Sequence, residues 1–291
     1  MKTTAIQAKS VLTKTSGHIA KVFTHSLNPY RGCGFGCTYC YAQFQPSWTF
    51  REGDATWGDE VDFKENAPEV LRQQLSKMKP ETLREMKVFM ATATDPYQPL
   101  EAREQITRRL LEVFLDFPTV GLLVQTRSPL AIRDFSLMTR HPRLVLSMTV
   151  ETDLREEMLK AHSYHASPGK RLEALTIASG LGIHTQVAVS PILPYSTGFI
   201  DRLFETNPDA IIVDDFISGD GSRGRRTSQT SYAAEHPEEF LNAERLGRTF
   251  QSELEQELRH RDENSISVYH GSFGRVLASL PIPDGTQPRL F

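Results

Sequence analysis

Cys33, Cys37 and Cys40 are the only cysteines in a chain of 291 residues, and all three fall within one short segment. An odd, clustered set does not make a disulfide framework; it points to a metal. The spacing C-x3-C-x2-C offers three thiolates from one loop. Gly32, Gly34 and Gly36 let that backbone wrap closely round a bulky object. Electron-transfer clusters take four cysteines. Three leave one metal position open, and an open position marks catalytic sites rather than structural ones. On the residues alone, a Cys3His zinc site completed by His18 or His25 competes with this reading.

Hydrophobic residues make up 39% of the chain before its 18 glycines are counted, so a sizeable core is available. The length suits one barrel plus appendages. A net charge of −3 gives no broad attraction to a polyanion, so nucleic acid would have to be held by a local patch and is not the favoured partner. No run of about 18 apolar residues appears, and Met1–Gln7 lacks an apolar signal core. The expectation is a cytoplasmic protein with no membrane contact.

Short apolar runs rich in β-branched residues predict strands over 21–28, 87–92, 120–126, 144–150, 184–189 and 210–214. Helical spacing lies between them, at Val70, Leu71, Leu75 and Met78 behind an Asn66-Ala67-Pro68 start. It recurs at Ile106, Leu110, Val113 and Phe117, and at Leu172, Leu175, Ala178 and Leu181 before Gly182. Six strand-then-helix units predict an α/β fold, a partial (β/α)6 TIM-like barrel over 21–215. An N-terminal segment (1–20), read as an ordered arm or a loose tail, and a small, mostly helical C-terminal extension (216–291) with a last short strand around Ser267–Tyr269 flank it. The ends of these strands carry polar or turn residues, among them Asn28, Thr92–Asp95, Thr126–Ser128, Glu151, Ser190 and Asp214, and chemistry sits at that rim in barrels.

Three further features have both a chemical and a plain reading. The basic run Ser222–Ser228 is a phosphate-site candidate diluted by Asp214, Asp215 and Asp220. His162, Tyr164 and His165 form a polar cluster after the fourth strand. Trp48 and Trp57 bracket a loop beyond the cysteines, as packing or as a base-stacking platform.

The segment Asn28-Pro29-Tyr30-Arg31-Gly32-Cys33 through Cys40, with aromatic Tyr39 before the last cysteine, resembles the radical S-adenosylmethionine (SAM) superfamily. Thr94-Asp95-Pro96-Tyr97-Gln98-Pro99, Gln125–Ser128, Ser167–Ala174 and Ser190–Pro194 resemble the group related to spore photoproduct lyase. The resemblance implies a [4Fe-4S] cluster on Cys33, Cys37 and Cys40. SAM would bind the open iron and be cleaved to a 5′-deoxyadenosyl radical, with an external reductant of flavodoxin or ferredoxin type. It implies Thr92, Thr94 and Asp95 near SAM's amino group and Arg127, with Ser128 beside it, near its carboxylate. Ser147 would also touch the cofactor, and Ile192 would lie against the adenine. Spore photoproduct lyases carry a further cysteine on the second-strand segment as hydrogen donor. Here Met90–Asp95 has none, which leaves Tyr97 as the substitute catalytic candidate. A radical enzyme on an unidentified substrate, a nucleic-acid lesion-repair enzyme and a non-catalytic metal-stabilised binding protein are the three functions to separate.

Overall fold

The computed structural model describes residues 1–45, 48, 56–161, 167–217, 219–261, 266–271 and 273–283. The cluster expected at His162, Tyr164 and His165 lies outside them.

Among the described residues the main sheet has eight strands. Seven run parallel: β3 (His25–Leu27), β6 (Lys87–Met90), β7 (Gly121–Thr126), β8 (Leu144–Thr149), β9 (His184–Val189), β10 (Ala210–Val213) and β11 (Ser267–His270). They neighbour one another in chain order, the geometry of a barrel left open. β2 (Leu12–Lys14) pairs antiparallel with β3 at one edge. A second sheet joins β1 (Lys2–Ile6) and β4 (Tyr30–Arg31) to the two sides of β5 (Glu60–Lys64).

Both flanking segments pair with the sheets. The arm at 1–20 is built into the structure: β1 lies along β5, and β2 closes the sheet edge. The last short strand expected around Ser267–Tyr269 is β11, and it joins the main sheet as a seventh parallel strand beside β10. The first predicted strand shortens to His25–Leu27 because a 3₁₀ turn, Gly17–Lys21, precedes it and Phe23 is pulled into the barrel interior.

Strands buried on both faces divide their side chains by parity. On the outer face, Val88, Leu122, Val124, Leu144 and Leu146 pack with Leu71, Leu75, Leu110 and Phe114 of the helices Ala67–Ser76 and Ile106–Leu115. The predicted apolar stripes do this, except that Leu181 falls beyond the helix Pro168–Gly180 and is exposed. Asn66 leads into its helix without capping it. Its side chain instead bonds both backbone groups of Ala8 and pins the N-terminal segment.

On the inner face, Phe89, Leu123, Val145, Ala210 and Ile212 form a cluster with Phe23 and with Val276 and Leu277 of the short helix Arg275–Ser279. This helix plugs one end of the barrel; a Cβ on Gly121 would stand 3.2 Å from Leu277 Cδ1. One register step toward the strand C-termini lies a polar layer, Gln125, Ser147 and Gln186, which are neighbours across β7, β8 and β9. Above that layer the barrel is open. The long helix Pro237–Arg261 lies over β10 and β11 and buries Ala243, Gly247, Phe250 and Leu254 at helical spacing.

Candidate active site

The cysteine loop leaves β4 at the C-terminal rim. Gly32 and Gly36 have φ of 81° and 57°, in the left-handed region that glycine adopts without strain. Gly32 is also crowded, and Gly58 crowds against Gly36. A Cβ on Gly32 would stand 2.5 Å from the Glu60 carbonyl and 2.7 Å from Trp48, and Gly36 Cα lies 2.8 Å from where Gly58 would carry one. Trp48 and Trp57 meet edge to face at 5.0 Å, and the aromatic pair packs the loop rather than standing open as a stacking platform.

Cys33 and Cys37 are buried and Cys40 half-buried. Burial pushes the Cys37 thiol up to about 12, against the pull of Arg127 and Arg171; burial also raises Cys33 and Cys40. Such a site holds thiolates only when a cation compensates them. Among the described residues no three His, Cys, Asp or Glu side chains group as ligands of one metal ion would. Thiolates bonding three different irons of one cluster need no such convergence, so the donor set fits a cluster. Of the histidines proposed for zinc, His25 opens β3 at the opposite end of the sheet, whereas His18 lines the cavity beside the loop.

Beside Cys37 lies a buried charge network. Tyr39 Oη donates to Glu151 Oε1, Arg127 Nη1 donates to both Tyr39 Oη and Glu151 Oε1 at 2.7 Å, and Arg171 Nη1 donates to Glu151 Oε2 at 2.6 Å. Glu151 and Arg171 are each 1% exposed. Two guanidiniums against one carboxylate leave these side chains net positive, next to thiols that must ionise to bind metal.

A cavity of about 460 Å³ opens at this rim. Of the residues expected at the cofactor, Tyr39, Cys40, Thr92 and Arg127 line it, and Thr92 also accepts from Asn28 Nδ2 at 3.2 Å. The others are turned elsewhere. Thr94 Oγ1 donates to the Gly32 carbonyl at 2.6 Å. Buried Asp95 accepts from Tyr97 N, Thr126 Oγ1 and Arg127 N, an Asx turn that fixes the rim, and burial raises its carboxyl despite those bonds. Ser128 caps the 3₁₀ turn Pro129–Asp134. Ser147 accepts from Gln186 at 2.9 Å in the layer below. Ile192 donates its N–H to the Asp214 carbonyl and lines a neighbouring cavity of about 420 Å³. Tyr97 is wholly buried and donates to Asp134 at 3.1 Å, off the cavity wall, so it is badly placed to give a hydrogen atom to a substrate.

Sequence reasoning named Glu151 only as a strand end and assigned nothing to Arg171. It also left Gln125, Thr149, Ser190 and Asp215 out of the site, though all four line the cavity. For Gln125, Thr149 and Ser190 the inward parity of β7, β8 and β9 was the available signal; Asp215, two residues past β10, carries the outward parity of Ile211 and Val213 and had none. In the basic run, Asp220 accepts from the backbone N–H groups of Ser222, Gly224, Arg226 and Thr227. A carboxylate of the chain thus fills the nest that a phosphate would need, and Arg223 and Arg225 are exposed.

Comparison with known proteins agrees with this geometry. The Radical SAM superfamily model matches residues 27–198. An uncharacterized protein of Methanocaldococcus jannaschii is 29% identical over 192 residues, covering 65% of this chain and 67% of that one. An uncharacterized protein of Mycobacterium tuberculosis is 29% identical over 195 residues, 66% of this chain and 56% of the relative, so the chain spans little more than half of it. Among solved structures, spore photoproduct lyase complexed with dinucleoside spore photoproduct superposes with a TM-score of 0.60 at 12% identity, over 92% of this chain and 82% of that chain. Streptococcus suis SuiB bound to SAM gives 0.54 at 11%, over 90% and 53%. At such identities the likeness is one of fold.

Proposed function

Because the chain belongs to the radical SAM superfamily, whose members use a [4Fe-4S] cluster and SAM, we propose that Cys33, Cys37 and Cys40 hold that cluster and that the adjoining cavity receives SAM and substrate. When bound, the pair supplies an electron and a 5′-deoxyadenosyl radical able to abstract a hydrogen atom from substrate. The observation that carries the reading is the juxtaposition of three thiols in one glycine-wrapped loop with a rim cavity that presents Arg127 beside them.

The chain's own residues divide the work. Arg127, oriented by Tyr39 and Glu151, offers its cation to the methionyl carboxylate, and Thr92 offers a hydroxyl to the amino group. Arg171 locks Glu151 from behind. Tyr39, Phe216 and Tyr232, in mutual ring contact, shield the thiols from water. Gln125, Thr149 and Ser190 supply polar groups along the cavity for the substrate. Members of the superfamily require a reductant, and a flavodoxin- or ferredoxin-type donor serves here. No helix among the described residues is long and apolar enough to cross a membrane.

Anaerobic reconstitution tests this. The protein should take up close to four irons and four sulfides per chain. Cys37→Ala should lose most of that, and dithionite plus SAM should release 5′-deoxyadenosine. A colourless protein with one tightly held zinc sinks the proposal, and a cluster without SAM cleavage leaves a metal-stabilised binding protein. Repair of spore photoproduct is not expected, since the chain holds no fourth cysteine and Thr92 offers a stronger bond than a thiol. Efficient turnover of the dinucleotide lesion to restored thymidines would overturn that exclusion.

A further inference from the structure

Gln98 follows the Thr94–Tyr97 turn, is completely buried, and takes no part in the cavity. Its side-chain Oε1 accepts from Gly34 N at 2.7 Å, and its Nε2 donates to Thr94 Oγ1 at 3.1 Å and to the Gly32 carbonyl at 3.4 Å. Thr94 Oγ1 donates to the same Gly32 carbonyl at 2.6 Å. The Gly32 carbonyl belongs to the peptide unit entering Cys33, and the Gly34 N–H to the peptide unit leaving it. One amide therefore grips both planes whose orientations define φ and ψ of Cys33. Only a side chain with an acceptor and a donor on one rigid fork does this, and the fork's sense is fixed because Gly34 can only donate and the Gly32 carbonyl can only accept.

We propose that Gln98, aided by Thr94, is a positioning residue that presets the Cys33 backbone so that its thiolate meets the cluster. The need is specific to this loop, because glycines on both sides of Cys33 leave its peptide planes no restraint from neighbouring side chains. Without Gln98 the Gly34 N–H would be a buried donor with no partner, and the loop would relax toward whatever acceptor or water it could reach. The proposal rests on the cysteine loop being the cluster site.

Gln98→Ala removes every bond that the Gln98 side chain makes and leaves only the Thr94 Oγ1 bond on the Gly32 carbonyl. Gln98→Glu, of nearly the same shape, keeps an acceptor for Gly34 but sets a carboxylate against the Gly32 carbonyl. Each would be reconstituted beside the unsubstituted protein. The measurements are cluster loss to a ferrous chelator, the electron paramagnetic resonance spectrum of the reduced cluster, and thermal unfolding of the cluster-free protein. Gln98→Ala should lose its cluster about tenfold faster and show shifted or broadened resonances, with Gln98→Glu between it and the parent. Cluster lifetimes within twofold of the parent and superimposable spectra would overturn the proposal. So would a fall in cluster-free melting temperature with the cluster properties unmoved, which is what mere packing predicts. If Gln98→Ala does not fold, Gln98→Glu decides on the same readings. A parent protein that takes up no iron and sulfide removes the cluster reading and this one with it. A stable parent cluster indifferent to both variants removes the positioning role alone.

Discussion

Two buried charge networks flank the segment that follows β7, and they do different work. One joins Arg127, Glu151, Arg171 and Tyr39. The other joins Arg133 to Glu101 and Asp134 at 2.6 and 2.7 Å, Arg108 to Asp134 at 2.6 Å, Tyr97 to Asp134, and Tyr30 to Glu101. Their carboxylates are equally inaccessible: Glu151 is 1% exposed, and Glu101 and Asp134 are 0%. The first network presents Tyr39 and Arg127 to the cavity, whereas no member of the second lines it. The second ties Tyr30, just ahead of the cysteines, to the turns after β6 and β7. Burial and charge alone therefore do not mark the site; the face of the rim they look toward does.

The sharpest way to break this comparison is to discharge one carboxylate in each network. Glu151→Gln takes the carboxylate from the fully buried Arg171 and should cost about 3–5 kcal/mol of stability in chemical denaturation, whereas Glu101→Gln should cost less, because the half-buried Arg133 keeps Asp134. They should separate in function. At a temperature where both remain folded, Glu101→Gln should bind SAM like the parent, while Glu151→Gln, having released Arg127 and Tyr39, should bind it much more weakly. Equal SAM affinities would dissolve the distinction between the networks.

A second comparison sets Arg127 against an arginine outside the site. Arg127→Ala should weaken SAM binding by roughly ten- to a hundredfold, the loss of a charge-assisted contact worth about 1.5–3 kcal/mol. Arg223, exposed on the loop whose backbone encloses Asp220, should tolerate Ala with SAM affinity unchanged. Two variants that behave alike in calorimetry would remove Arg127 from the carboxylate role.

Much of this was legible in the chain. Three cysteines spaced among glycines announced the loop, and polar residues at strand ends announced the rim, because both signals are local. The roles of Glu151 and Gln98 were not legible. Glu151 acquires meaning from Tyr39, 112 positions away, and from Arg171, 20 positions on in a helix. Gln98 acts on Gly34 across 64 positions. Arg127 was read from a strand end and Tyr97 only as a stand-in for an absent cysteine, and neither reading says which side of a turn faces inward. The pairing of the N-terminal arm was not legible for a different reason: β1 buries little of itself, and its partner β5 is 58 positions distant in register.

Tyr97→Phe measures how closed the second network is. The variant removes one of several bonds to Asp134, which keeps Arg108 and Arg133, so a loss of about 1 kcal/mol is expected. As a residue sealed from the cavity, it should leave SAM cleavage and its products unaltered. A changed product distribution would restore Tyr97 as a hydrogen donor and open the network to the site.

The smallest effect comes from neither network and serves as a baseline for both. His141 lies near the N-terminal ends of the strands, away from the rim. It is 5% exposed, and its Nδ1 accepts from Arg143 N at 3.3 Å. Burial, with Arg143 close by, lowers its imidazole to about 4. Between that value and the ordinary 6.5, the unfolded chain binds a proton that the folded chain refuses, so stability from this group rises with pH across the window and is lost as pH falls. From pH 7 to 5.5 the loss should be about 1 kcal/mol. His141→Asn retains an acceptor for Arg143 without the titration, so the difference between parent and variant urea midpoints should shrink on that side of the pH scale. SAM binding should follow neither curve, because the histidine acts at the end of the sheet opposite the cavity. A parent and variant with parallel pH profiles would show that His141 is not the proton-linked group, and acid sensitivity would then have to be sought among the rim carboxylates.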